Sequence, residues 1–127
     1  MNEELITVSE NHGLGYRPLV YFEGWRMAIL NDDPEKFRKE KTSFLERHNE
    51  TDEAFVLLKG ECTLLIGGKG ISPECVAYVP MERNKVYNIR KAVWHNLIGN
   101  DGFSVLIVEN ADTSKQNSDF YPMTLDM

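Results

Sequence analysis

Residues 46–60, ERHNETDEAFVLLKG, decide how this chain is read. A carboxylate and an imidazole stand two apart at Glu46 and His48, and side chains two apart on a strand share a face. Asn49, Glu50, Thr51 and Asp52 form a turn-like patch, after which Glu53 opens an apolar run that Lys59-Gly60 closes. Glu46 and His48 are therefore expected to point together, with Glu53 close by at the start of the next strand.

Working outward, the flanking sequence has the period of β-structure. YRPLVYF from Tyr16 is rich in aromatic and branched residues, and Pro18 puts this strand at an edge or start because proline cannot donate to a ladder. Glu23-Gly24 can turn the chain into a half-buried strand in which Trp25, Met27 and Ile29 alternate with Arg26 and Ala28. Asn31-Asp32-Asp33-Pro34 breaks the pattern, and Glu35 to Lys41 reads as a solvated loop or the outer end of a strand. Further strands are expected over Thr42 to His48, Ala54 to Leu58, Glu61 to Ile66, Cys75 to Val79, Lys85 to Ile89, Val93 to Ile98 and Phe103 to Glu109. Asn100-Asp101-Gly102 is expected to be the hairpin turn between the last two.

No stretch has the period of a long amphipathic helix, so the expected class is all-β, a sandwich or barrel. The expected organisation is a single domain over 1–127, with an N-terminal arm at 1–15, a barrel at 16–109 and a tail at 110–127. Phe120, Tyr121, Pro122 and Met123 near the end of the polar tail are expected to dock, in a groove of the same subunit or on a partner's sheet edge.

A chain of 127 residues buries roughly two-thirds of its unfolded surface, enough for a core without staples. The net charge of -6 argues against nucleic acid and against an anionic membrane surface, both of which call for basic faces. The opening residues MNEELITVSEN are acidic, without the basic and apolar regions of a secretory signal, so a cytoplasmic location is expected. Two cysteines, Cys62 and Cys75, are too few for a disulfide framework, and both are expected to be buried, reduced thiols.

Of the three histidines, His12 falls in a glycine-containing loop and is expected to be an exposed bystander. His95 shares a strand face with Val93 and Leu97. Taken singly, a histidine on an apolar face is more often a hydrogen-bonded core residue than a ligand. Taken together, Glu46, His48, Glu53 and His95 offer two imidazoles and two carboxylates, a donor set that suits zinc, manganese or iron(II). The competing possibility is that Glu46 and Glu53 are rim residues facing water.

Glu46-x-His48, Glu53 and Gly60, with the wording Asp52-Glu53-Ala54-Phe55-Val56-Leu57-Leu58-Lys59-Gly60-Glu61, resemble the first motif of the small single-domain cupins. His95 in Val93-Trp94-His95-Asn96 matches the histidine of the second motif, whereas Asn84, Arg90 and Ala92 stand where that family usually has Gly, Pro and Gly. The resemblance covers about residues 42 to 109. It implies a cupin-type double-stranded β-helix, or jelly-roll, barrel with a divalent metal in its mouth. By that resemblance His48, Glu53 and His95 match metal ligands, and Glu46 occupies the position of a first histidine, as a fourth ligand or as a general base. Around the mouth, Arg90, Trp25 and Tyr87, with Tyr78 and Arg26, are candidates for substrate contact. Small cupins commonly dimerise by sheet edges, so a homodimer is expected.

The implied function is a small metal-dependent enzyme, a lyase, isomerase or dioxygenase, acting on a polar metabolite such as a sugar or an organic or ureido acid. Val93-Trp94-His95 also resembles the corresponding phrase of ureidoglycolate lyase-type cupins. The alternatives are a non-catalytic small-molecule-binding cupin and metal-free acid–base chemistry by the Glu/His cluster.

Overall fold

Alternating apolar residues build eight strands in the computed structural model of the chain, which describes residues 5–125. They are β1 (Gly15–Phe22), β2 (Trp25–Asn31), β3 (Phe44–His48), β4 (Glu53–Ile66), β5 (Ala77–Pro80), β6 (Tyr87–Ile89), β7 (His95–Asn110) and β8 (Ser118–Pro122). Single 3-10 turns at Lys39–Lys41 and Lys115–Asn117 are the helical elements among the described residues. The all-β class is as the sequence predicts. No helix among the described residues is long and apolar enough to cross a membrane.

The strands run antiparallel in the order β1-β2-β7-β3-β8, and β4 pairs with β7 along one side and with β5 and β6 along the other. The long strands β4 and β7 are the frame. Two expected turns are absent because these strands continue through them. Gly60 takes φ 74 inside β4, and Asp101 and Gly102 take φ 58 and 60 inside β7, opposite shifts in the β4–β7 register. Asp101 and Gly102 have the left-handed backbone that such a sequence favours. Both flanking runs pair with β4, however, so the segment is a bulge that bends the strand and not a hairpin.

The main core joins Ala28 and Leu30 of β2, Phe55, Leu57 and Leu64 of β4, and Leu97, Phe103, Val105 and Ile107 of β7. On β2 the inward face is thus Arg26, Ala28 and Leu30, with Met27 and Ile29 only partly buried and Trp25 exposed. The sequence had Trp25, Met27 and Ile29 as the apolar set. The phase is inverted because Arg26 finds a buried carboxylate inside the barrel.

A smaller cluster lies on the other face of β3 and β4, where Leu45 and Leu65 are fully buried with Trp94 under Leu125 and Met123. Each such leucine contributes on the order of 2 kcal/mol. The tail therefore docks within its own chain: β8 pairs with β3 from Phe44↔Pro122 to His48↔Ser118, and the following residues cap the cluster. Cys62 is a buried free thiol, as expected, but Cys75 is free and exposed. The fifth strand starts at Ala77, leaving Cys75 in the preceding loop.

Candidate metal centre

Four cross-strand pairs assemble the site. Glu46 of β3 stands opposite His95 of β7, His48 of β3 opposite Ser118 of β8, Glu53 of β4 opposite Glu109 of β7, and Arg26 of β2 opposite the same Glu109. Directly opposed residues share a face with Cβ atoms roughly 5 Å apart. Register alone thus brings together side chains that lie far apart in the chain.

His48, Glu53, His95 and Glu109 are buried, and Glu46 is half-buried. The two imidazoles converge on one carboxylate oxygen: His48 Nε2 lies 3.2 Å and His95 Nε2 3.1 Å from Glu53 Oε1. On their far sides His95 Nδ1 donates to the Val93 carbonyl at 2.9 Å, and His48 Nδ1 lies 2.8 Å from Ser118 Oγ. A carbonyl only accepts, so Nδ1 of His95 carries a proton. In the neutral ring, Nε2 then turns a lone pair toward a carboxylate that can only accept as well. Such an arrangement is stable when a positive charge sits between them, as a second proton or as a metal ion.

The residues fit a metal. Ligand atoms set about 2.1 Å from a zinc or similar ion lie about 3.0–3.4 Å from one another, which is the N···O spacing seen here. Ligand atoms of Glu46, His48 and His95 lie within 4.8 Å of one another, as do those of His48, Glu53 and Glu109. Outer hydrogen bonds to a carbonyl and a hydroxyl orient both rings, as the partners of metal-bound histidines do.

The same arrangement governs the ionisations. Burial pushes the Glu53 carboxyl up, but hydrogen bonds from His48 and His95 outweigh it and hold the group well below its ordinary 4.5. Burial disfavours both imidazolium ions, yet the hydrogen bond to Glu53 raises His48 and His95 above 6.5. Burial raises Glu46, against the pull of His95 and His48. It also raises Glu109, helped by the charge of Glu53.

Glu109 is gripped from behind. Arg26 reaches it at 3.0 Å and the Tyr16 hydroxyl donates to it at 2.5 Å, while Arg26 also donates to the carbonyls of Ala111 and Thr113. Burial and that hydrogen bond raise the Tyr16 phenol far above 10.0. The centre opens on a cavity of about 800 Å³ whose walls include Phe37, Phe44, Phe55 and Phe120.

All four candidate ligands line this cavity, in two groups that share His48, and Arg26 lines it too. The other proposed contacts do not. Trp25 and Arg90 border a separate, shallow polar depression, where Arg90 lies 3.7 Å from Asp52. Trp25 stands on the outer face of β2 because Arg26 takes the inner one, and Arg90 lies beyond the end of β6. Tyr87 packs on the main core and its hydroxyl accepts from the Glu82 amide. Tyr78 is exposed beneath Lys39.

The sequence reading missed Glu109, Ser118 and Tyr16. Only Glu109 had a signal, since it continues the inward alternation of Val105 and Ile107. In the second motif, Asn84 and Ala92 both take φ 66, so the left-handed backbone that suits glycine persists without it. The Ala92 amide donates to the His48 carbonyl at 2.7 Å, tying this turn to β3.

No known family profile and no curated protein matches this sequence. Solved structures do match. A cupin-2 domain containing protein from Shewanella frigidimarina has a TM-score of 0.57 at 14% identity, over 80% of this chain and 84% of its own. Pac13, a nucleoside dehydratase, has a TM-score of 0.63 at 8% identity, over 92% of this chain and 88% of its own. The Streptomyces Pac13 has also been solved with uridine. CapF, a capsular polysaccharide assembling protein from Staphylococcus aureus, reaches 0.62 at 15% identity over 93% of this chain and 32% of that one. At these identities the likeness is one of fold, and it agrees with the strand order and bent frame described above: the chain is a small all-β protein with a cupin-type barrel.

Proposed function

We propose that this protein is a small divalent-metal enzyme acting on a polar metabolite inside the barrel. The observation that carries the reading is the convergence of His48 Nε2 and His95 Nε2 on one oxygen of Glu53, at 3.2 and 3.1 Å, with His95 locked from behind by a carbonyl. His48, Glu53 and His95 would hold the ion. A bound divalent ion supplies a Lewis acid that polarises a carbonyl or activates water.

The chain's own groups supply the rest. Glu46, the least buried of the four, faces the cavity and is placed to take or return a proton at the substrate. Arg26 and Tyr16 hold Glu109, and through it the wall beside Glu53. Phe37, Phe44, Phe55 and Phe120 give the walls aromatic surface. A lyase, in which one group removes a proton and another assists departure of the leaving group, suits this set. The nucleoside dehydratase among the structural neighbours runs a reaction of that class, and a nucleoside is small enough for the 800 Å³ cavity.

Elemental analysis of protein purified without chelators or a nickel column tests the reading. About one equivalent of zinc, manganese or iron is expected, lost in His48→Ala and His95→Ala and retained in Glu46→Gln. Wild-type protein that carries no metal and takes none up on dialysis would overturn it and leave acid–base chemistry by the same cluster.

A further inference from the structure

We infer that the cavity selects a small molecule in which an anionic group is joined to a flat ring; the inference rests on the reading of the cavity as a metal-bearing substrate site. Its basis is the placement of charge and of aromatic surface within one cavity.

Although the chain carries a net charge of -6, the cavity lining is balanced, with Arg26, Lys36, Lys41 and Lys115 against Glu35, Glu46, Glu53 and Glu109. The balance is uneven in depth. Glu46 and Glu53 face the histidines, and Glu109 is held by Arg26 at 3.0 Å. The inner acids are therefore committed to the metal position and to arginine. The three lysines are exposed, on two separate segments, and Glu35 is the one acid facing them among the described lining residues. Lys41 meets Glu35 at only 3.7 Å with both side chains in water, a weak pair. Among the described residues neither Lys36 nor Lys115 forms an ion pair. A divalent ion at the floor would leave the whole cavity positive in a negative protein, a field that concentrates small anions. Flexible lysine ammoniums suit phosphate or carboxylate as point-charge partners.

The ring follows from the walls. Phe44 and Phe120 line the cavity while 38% and 45% exposed, with centroids 5.8 Å apart at 60°. They sit beside the metal strand, because Phe44 is two residues before Glu46 and Phe120 pairs directly with Glu46. Phe37 and Phe55 add further aromatic surface to the same cavity. Ring stacking covers such surface in a way that a bare sugar or small acid cannot.

Calorimetry on the full-length, zinc-loaded protein with matched probes tests this: uridine against uridine 5′-monophosphate, and ribose against ribose 5-phosphate. The monophosphate is expected to bind at least about tenfold more tightly than uridine and than ribose 5-phosphate. The triple variant Lys36→Gln, Lys41→Gln, Lys115→Gln is expected to lower its affinity to that of uridine, with zinc content and melting temperature unchanged. Phe120→Ala is expected to weaken both uridine compounds and to spare ribose 5-phosphate. Equal binding of charged and neutral members, an advantage that survives the triple variant, or no binding by any probe would overturn the inference. Zinc content, measured on the same preparations, reports separately on the metal reading.

Discussion

His48 and His95 stand with ring centroids 5.2 Å apart and planes at 65°, edge toward face. Two imidazoles held this closely, each raised in basicity by one shared carboxylate, repel when both are charged. Their outer nitrogens are tied to Ser118 and to the Val93 carbonyl, so neither ring is oriented to turn away. The barrel keeps them facing a common point, and the consequences can be measured.

The Ser118 hydroxyl orients the His48 ring from outside the centre. Ser118→Ala is expected to lower zinc affinity by roughly tenfold, as loss of such an outer partner typically does. Competition with a chromophoric chelator reads the affinity. An unchanged value would remove Ser118 from the site's support.

The metal-free protein is expected to be most stable between pH 4.5 and pH 6.5. The histidines have raised values, so their contribution is complete below the ordinary 6.5 and is lost as pH rises through the folded values. Glu53 is depressed, so its contribution is present above the ordinary 4.5 and is lost as pH falls. Glu46 and Glu109 are raised, so their cost accrues as pH climbs past the ordinary 4.5 and is complete above their folded values, which moves the optimum toward the acid end of that window. The melting temperature should fall from pH 6 to pH 8.5. Saturating zinc should remove most of that fall, since the ion takes the place of the protons.

Backbone substitutions at left-handed positions should have opposite signs. A Cβ on Gly60, at φ 74, would lie 2.6 Å from the Phe103 Cα, so Gly60→Ala should destabilise by about 3 kcal/mol. Ala92 already carries a Cβ at φ 66, so Ala92→Gly should stabilise by about 1 kcal/mol. Urea unfolding midpoints check both.

The two thiols should differ sharply in reactivity. Burial, aided by the nearby charge of Asp32, pushes the Cys62 thiol up to about 12, whereas Cys75 is exposed in a loop. Iodoacetamide at pH 8 should modify one cysteine in the native protein, identified by mass as Cys75, and both after denaturation.

Much of this was legible in the chain. Glu46, His48, Glu53 and His95 were found because two sit on one strand at period two, one opens the next strand, and one alternates with Leu97. Strand boundaries failed where a local signal had two uses: Lys59-Gly60 and Asn100-Asp101-Gly102 favour a left-handed backbone, which serves a bulge as well as a turn. Trp25, Tyr87 and Arg90 lie away from the cavity for a different reason. Trp25 looked inward because an aromatic among apolar residues usually does, but Arg26 takes the inner face against Glu109.

The sequence by itself determined the all-β class and the strand on which each candidate donor sits, because alternation and spacing are properties of neighbours along the chain. It could not determine what lies across from those donors. The pairing of His48 with Ser118, of Glu53 with Glu109, and of Glu109 with Arg26 was decided by tertiary register, which depends on how distant strands align. The stretch from Glu46 to Gly60 names the chemistry; the bent frame of β4 and β7, with β8 laid along β3, turns it into an enclosed centre.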